Sequence, residues 1–119
     1  MNSQRNSGNG RTPLFLIGAL IFSPGIDRLM REGLLDPLRF LQRHASGDWG
    51  DVSDERWQEN NAALQSGDQL ESFYVIHREL SICIVTEADR SETRIMLECE
   101  RLQQPPGLTA AIPSHLFPV

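Results

Sequence analysis

LESFYVIHRELSICIVTEADRSETRIMLEC, residues 70–99, decides the fold, because apolar and polar residues alternate over three successive segments of this stretch. A period of two is typical of β-strands that bury one face. Short polar turns separate the segments Leu70–Ile76, Ser81–Glu87 and Thr93–Cys99. The sequence therefore predicts a three-stranded antiparallel meander.

The register of this meander follows from pairing the residues next to each turn. Pairing Ile76 with Ser81, and applying the same rule at the second turn, places Ile84 between Phe73 and Ile95. One face then collects large apolar side chains and is predicted to be buried. Its members are Phe73, Val75, Ile82, Ile84, Ile95 and Leu97.

The opposite face of the meander is also partly apolar. A monomer with helices on one face only would leave it in water, so we expect a dimer partner, the N-terminal segment or the C-terminal arm to cover it. Its members are Tyr74, Ile76, Cys83, Val85 and Met96. The same register sends Cys99 away from Cys83, which disfavours a disulfide between them.

Signals for a strand and three helices precede the meander. The apolar run Leu14–Phe22 predicts a buried strand; a secretory signal is the alternative, but no small-x-small cleavage site follows. A helix over Ile26–Glu32 comes next. A second begins after the N-cap Asp36 and runs towards His44, and a third begins near Ser53 and ends at Gly67.

These elements predict an α+β domain with an N-terminal strand, two or three helices on one face, and then the meander. The length of 119 residues is that of one domain. We expect a disordered tail over residues 1–12, the domain over 13–101 and a Pro-rich C-terminal arm or tail over 102–119.

Charge and cysteine content narrow the function classes. The net charge of -5 disfavours nucleic acid as a partner, and the complete lack of lysine excludes a Schiff-base lysine or a Walker-type phosphate loop. Two cysteines are too few for a disulfide scaffold, so a cytoplasmic location is the default expectation. The longest apolar run is too short to cross a membrane.

Two loops are dense in side chains that carry chemistry: HASGDWGD at residues 44–51 and TEADRS at residues 86–91. Binding residues concentrate on loops that a rigid scaffold presents. The candidate binding surface drawn from both loops consists of His44, Asp48, Trp49, Asp51, Glu87, Asp89 and Arg90. The histidines are isolated along the sequence, which predicts no metal site, and no motif indicates a cofactor.

Each loop has a functional and a structural interpretation. In the functional one, His44 acts as a base or ligand, and Asp48 or Asp51 holds its second nitrogen or a cation. Glu87, Asp89 and Arg90 bind a cation or form a charged network with the first loop, in which Arg90 pairs with Asp48 or Asp51. In the structural one, His44 caps its helix, the aspartates satisfy turn amides and Trp49 covers the core.

The segments FLQRHASGDWGD (residues 40–51) and TEADRS (residues 86–91), in that order, resemble a family of small uncharacterised bacterial proteins found on plasmids and other mobile elements. The resemblance covers residues 15–98. It implies a plasmid-related protein and brings no known activity. The chain departs from the family pattern at Ile84, where relatives often have tryptophan, and in its C-terminal arm.

The sequence therefore favours a small non-enzymatic accessory protein of a mobile genetic element that binds another protein or a second copy of itself. The alternative is a small hydrolase or nuclease-like enzyme that uses His44 with the carboxylates of Asp48, Asp51, Glu87 and Asp89. Convergence of the imidazole and the carboxylates around an open pocket would favour the enzyme, whereas burial or separation would favour the binding protein.

Overall fold

The computed structural model of the chain describes residues 12–102. The predicted disordered tail over residues 1–12 and the predicted Pro-rich arm over 102–119 therefore lie almost entirely outside the described residues.

The described residues form an α+β fold of four strands and four helices. In chain order these are β1 (Ala19–Phe22), α1 (Pro24–Arg31), α2 (Pro37–Ala45), α3 (Asp54–Ser66), β2 (Leu70–His77), β3 (Leu80–Thr86), β4 (Glu92–Leu97) and α4 (Glu98–Leu102).

The strands form one mixed sheet with the order β1-β4-β3-β2. Strands β2, β3 and β4 pair antiparallel, as the alternation predicts, but β1 pairs in parallel with β4, from Ala19 opposite Glu92 to Phe22 opposite Ile95. The predicted N-terminal strand and the antiparallel pairing of the last three strands are therefore present, but the sheet is a four-stranded mixed sheet and not a three-stranded antiparallel meander. The sheet has a fourth strand because the apolar N-terminal run pairs with the free edge of β4.

The predicted register is confirmed between β3 and β4, but the predicted register between β2 and β3 is wrong. Ile84 lies opposite Ile95, but Phe73 lies opposite Cys83, one position away from the predicted partner. An irregularity between Val75 and His77 causes this shift. An extra residue at a bulge moves the remainder of a strand by one position and exchanges its two faces.

Helices α1, α2 and α3 cover one face of the sheet, here called the inner face. Ile26 of α1 and Leu41 of α2 pack there against Tyr74, Ile82 and other strand residues. Because of the bulge, Tyr74 belongs to this core, whereas Phe73 and Val75, predicted to be buried there, lie on the other side. Ala63 of α3 joins a neighbouring cluster with Trp49 and Leu70.

The opposite face, here called the outer face, carries a smaller cluster of Cys83, Val85 and Met96 with Phe73 against it. The three predicted helices lie on one face as expected, but the chain forms the additional helix α4 where the strand was predicted to continue to Cys99. Arg101 of α4 forms an ion pair with Glu71 at 2.9 Å.

Glu100 ties α4 to the start of α1. Its carboxylate accepts hydrogen bonds from the Ser23 hydroxyl at 2.5 Å, the Gly25 amide at 2.9 Å and the Leu97 amide at 2.8 Å. Although burial raises the pKa of Glu100, these hydrogen bonds leave it below its usual value. The carboxylate therefore supplies an acceptor to the Gly25 amide at the positive end of α1.

The helix boundaries follow the capping signals in the sequence. Asp36 is the N-cap of α2 and accepts from the Leu38 amide at 3.2 Å, and Ser53 is the N-cap of α3 and accepts from the Arg56 amide at 3.1 Å. Gly67 ends α3 with φ of 84°. These predicted boundaries are confirmed.

The loop after α2 pairs with the edge of β2 that lies opposite β3. The Phe73 amide donates to the Trp49 carbonyl at 3.1 Å, and the Asp51 amide donates to the Phe73 carbonyl at 2.6 Å. The Asp51 carboxylate accepts from the Val75 amide at 2.9 Å. Gly50 permits this approach, because a Cβ there would lie 2.2 Å from the Phe73 carbonyl oxygen.

Substitution of Gly50 with alanine should destabilise the fold more than substitution of Gly67. Both residues have positive φ, but a Cβ at Gly67 meets nothing within 4 Å. We expect Gly67→Ala to lower the free energy of unfolding by about 1 kcal/mol and Gly50→Ala by about 3 kcal/mol. Urea denaturation followed by circular dichroism measures both, and equal losses would contradict the close approach of the loop to β2.

Candidate functional site

His44 lies in the last turn of α2, is fully buried and points into the sheet. Its Nδ1 is 2.5 Å from the hydroxyl of Ser72, and its Nε2 is 2.9 Å from the hydroxyl of Thr86. The expected helix cap does not form, because both ring nitrogens bond to strand side chains. The imidazole thus joins α2 to β2 and β3.

The proton positions in this network can be assigned by starting from Thr93, whose partner is a backbone carbonyl. Thr93 donates to the Ile17 carbonyl at 2.7 Å, so the Thr93 hydroxyl oxygen accepts the proton of Thr86 at 2.7 Å. Thr86 is then an acceptor for the Nε2–H of His44. The remaining nitrogen, Nδ1, carries no proton and accepts from Ser72.

This arrangement holds the imidazole in its neutral form. Burial, and secondarily the charge of Arg90, lowers the pKa of His44 to about 3. His44 is therefore neutral and sealed from solvent across the physiological pH range.

Trp49 covers the neighbouring part of the core, as the structural interpretation predicts. Its side chain is fully buried, and its Nε1–H donates to Asn61 at 2.9 Å. Phe15 closes the cluster, because its ring meets the His44 ring edge-on at a centroid distance of 5.3 Å and stacks on Trp49 at 6.2 Å. The N-terminal segment thus seals the histidine.

Asp48 and Asp51 shape the loop between α2 and α3. Asp48 forms an ion pair with Arg43 at 2.8 Å and accepts from the Gly50 amide at 3.1 Å. Its backbone carbonyl accepts the hydroxyl proton of Tyr74 at 2.6 Å, and burial raises the pKa of Tyr74, so this donor stays protonated. Asp48 satisfies a turn amide, as the structural interpretation predicts, whereas the Asp51 carboxylate bonds to an amide of strand β2 instead.

Arg90 occupies the turn between β3 and β4 with φ of 60°. Its guanidinium donates to four backbone carbonyls: those of Asp68 at 2.7 Å, Glu87 at 3.0 Å, Ala63 at 3.2 Å and Ala88 at 3.3 Å. Ala63 lies in the last turn of α3, and its carbonyl also accepts from the Gly67 amide at 2.8 Å. Arg90 therefore holds α3 to this turn.

Asp89 and Glu87, the other predicted members in this turn, are more accessible. Asp89 is exposed and accepts from the Ser91 amide at 2.9 Å, and the hydrogen bonds from Ser91 lower its pKa. Glu87 is half-buried, and its amide donates to the Glu92 carbonyl at 3.0 Å.

The structure brings the two loops together through His44 and Thr86, whereas the expected pairing of Arg90 with Asp48 or Asp51 is absent from residues 12–102. Sequence reasoning missed Ser72, Thr93 and the buried Asn60, whose amide bonds both backbone groups of Glu71. The available signal is a row of hydroxyl residues at inward positions of the strands.

Among residues 12–102, no group of histidine, cysteine and acidic side chains could hold a metal ion. Burial raises the pKa of the Cys83 thiol to about 11, so this side chain is protonated at neutral pH. In the same part of the chain, every helix is too short or too polar to cross a membrane.

We compared the chain with known proteins, and it matches no family model, no curated protein and no solved structure.

A second surface feature surrounds α2. Leu34 and Leu38 are 64% and 48% exposed. They adjoin an open groove of about 470 Å³, lined by Asp36, Leu38, Arg39, Phe40, Gln42 and Arg43. Arg39 is exposed and forms no ion pair with any residue in the described range. We call Leu34, Leu38, Arg39, Phe40 and Arg43 the α2 surface.

The buried neutral His44 should make the fold sensitive to mild acid. Its pKa is about 3 in the folded chain and about 6.5 when unfolded, so between these values the unfolded chain binds the extra proton. The free energy of unfolding contributed by this group is complete above pH 6.5 and falls as the pH drops. From pH 7 to pH 5 we expect a loss of about 2 kcal/mol from His44 alone.

The measurement is urea denaturation of the wild type and of His44→Gln at both pH values. Glutamine is neutral at each, so the stability difference between the two proteins should shrink by this amount on acidification. The exposed His77, changed to glutamine, is the matched control and should keep the wild-type profile. Parallel profiles for the wild type and His44→Gln would show that the ring titrates alike in both states.

Arg90→Lys should weaken the attachment of α3 although the charge is retained. An ammonium group cannot reproduce the planar fork that reaches several carbonyls at once. We expect a loss of about 1–3 kcal/mol in the free energy of unfolding and faster amide exchange in the last turn of α3. Arg78→Lys, at the exposed turn between β2 and β3, should change neither quantity.

Proposed function

We propose that this chain is a non-catalytic accessory protein of a mobile genetic element and that it acts by binding another protein through the α2 surface. The observation that carries the proposal is the exposure of Leu34 and Leu38 beside Arg39, which forms no ion pair within the described residues 12–102. Exposed apolar side chains grouped with a charge are typical of recognition surfaces.

The state of His44 supports a binding function over an enzymatic one. A general base must reach the substrate proton directly or through one water molecule. His44 is fully buried, and its ring partners among the described residues are the hydroxyls of Ser72 and Thr86. Its low pKa follows from that burial. Nothing in this geometry favours the hydrolase or nuclease alternative.

The chemistry of the α2 surface favours an acidic partner with apolar anchors. Leu34 and Leu38 offer apolar contact area, and the exposed Arg39 can pair with a carboxylate of the partner. Arg43 lies against the rings of Phe40 and Tyr74 at 5.9 and 4.7 Å and is held there by Asp48. Arg43 therefore forms part of the floor of the groove, and Arg39 at its rim has no ion pair with any residue in the range 12–102.

The mobile-element context rests on the resemblance of residues 40–51 and 86–91 to plasmid-related bacterial proteins. An accessory protein of such an element acts on the machinery of the element or of its host, and a small domain with a recognition surface suits that role. Nucleic acid is the less favoured partner because the chain carries a net charge of -5.

A random peptide library displayed on phage tests the binding function. We expect the purified protein to enrich peptides that combine Asp or Glu with Leu, Ile or Phe. The double variant Leu38→Asp, Arg39→Glu should lose at least about tenfold in affinity for the enriched peptides. Both substitutions fall in the first turn of α2, where acidic residues stabilise a helix, so the variant should remain folded.

The matched control is Val75→Asp, Arg78→Glu, which changes an equally exposed apolar residue and an arginine on a different surface. It should bind the enriched peptides as the wild type does. Peptides that bind the double variant undiminished would overturn the assignment to the α2 surface. Hydrolysis of DNA or RNA that is lost in His44→Gln would overturn the non-catalytic function itself.

A further inference from the structure

The two edges of the sheet differ in whether their backbone groups are paired. The β2 edge is paired by the loop after α2, which supplies backbone partners to Phe73 and a carboxylate to the Val75 amide. The other edge is β1, and no residue in the range 12–102 pairs with its outward side. Edge strands with free backbone groups are templates for pairing with another strand.

The outward backbone groups of β1 can be assigned from its pairing with β4. The Ala19 amide donates to the Ser91 carbonyl and the Ser23 amide to the Ile95 carbonyl, both at 3.0 Å. Alternate residues of a strand direct their amides and carbonyls to opposite sides. The amides and carbonyls of Leu20 and Phe22 therefore point away from the sheet.

The β1 edge also lacks the features that prevent pairing. Residues 12–23 contain no charged residue, and the strand Ala19–Phe22 has no proline and no bulge. Ile21 is 38% exposed, and Leu14 and Leu16 just before the strand are 55% and 76% exposed. Half of the large exposed apolar residues in the described range thus lie in one uncharged segment.

We propose that the β1 edge pairs antiparallel with the β1 edge of a second copy of this chain, which joins the two sheets into one. A second copy is the occupant because β1 is complementary to itself about a two-fold axis through Ile21. Leu20 then exchanges both backbone hydrogen bonds with Phe22 of the second copy, and Phe22 exchanges both with Leu20 of the second copy.

The side chains agree with this register. The two Ile21 residues lie opposite each other on the outer face as a non-hydrogen-bonded pair, where Cα atoms approach to about 4.5 Å. Their exposed apolar surface becomes buried at the axis. The nearest charge on that face is Arg94 opposite Ile21, and it is already paired with Glu92 at 2.6 Å. No like charges therefore meet across the contact.

Cysteine crosslinking tests the axis directly. In a Cys99→Ser background, which removes the exposed native thiol, Ile21→Cys places two thiols at a separation suited to a disulfide. We expect copper phenanthroline to convert this variant to a covalent dimer at least about tenfold faster than Val75→Cys, which lies on the β2 edge and is more exposed. Equal rates, or a faster reaction of Val75→Cys, would overturn the proposal.

Sedimentation of charge variants gives a second test. Wild-type protein should sediment as a dimer that dissociates on dilution, whereas Ile21→Lys and Ile21→Glu alone should be monomers, because like charges would face each other at the axis. Mixed in equal amounts, the two variants should recover a dimer. Val75→Lys is the control and should dimerise as the wild type does.

A wild type that stays monomeric at every concentration would overturn the proposal, as would dimers that survive Ile21→Lys or a mixture of the variants that stays monomeric. Strand addition by a different protein, or by another segment of the same chain, predicts one of these outcomes.

Discussion

The chain of hydrogen bonds from Ser72 through His44 to Thr86, Thr93 and the Ile17 carbonyl joins five segments: β2, α2, β3, β4 and the segment before β1. The donor and acceptor roles of these groups are mutually consistent, and the side chains of Ser72, His44, Thr86 and Thr93 are fully buried. A polar chain buried in this way tolerates no unpaired member. It therefore specifies where α2 rests on the sheet and brings the N-terminal segment over the strands.

How much of the fold could be predicted from the sequence depends on how local each signal is. Caps at Asp36, Ser53 and Gly67 are local signals, and they located the helix boundaries. The pairing of Ile84 with Ile95 depends on a regular turn, and it was also predictable. The exchange of Phe73 for Tyr74 in the core was not, because a one-residue bulge near Ile76 leaves the apolar alternation on both sides intact.

In the candidate site, the residue types alone do not distinguish a catalytic role from a structural one. Histidine, aspartate, tryptophan and arginine are residue types that active sites often contain. In this protein they mostly hold the two loops in place. Arg90 binds carbonyls, Asp51 binds the edge of β2, and Trp49 covers the core. Ser72 and Thr86 face inward and bind His44, which makes the histidine structural and not catalytic. That they face inward depends on the register of the strands.

The parallel pairing of β1 with β4 has a consequence for the order of assembly. Strands β2, β3 and β4 close through short turns, whereas β1 must close a loop that contains three helices and two further strands. Loop closure loses more chain entropy as the loop lengthens, and contacts of high sequence separation form late. The β2–β4 hairpins can therefore form before β1 docks, and the free edge of β4 is the template on which the N-terminal strand completes the sheet.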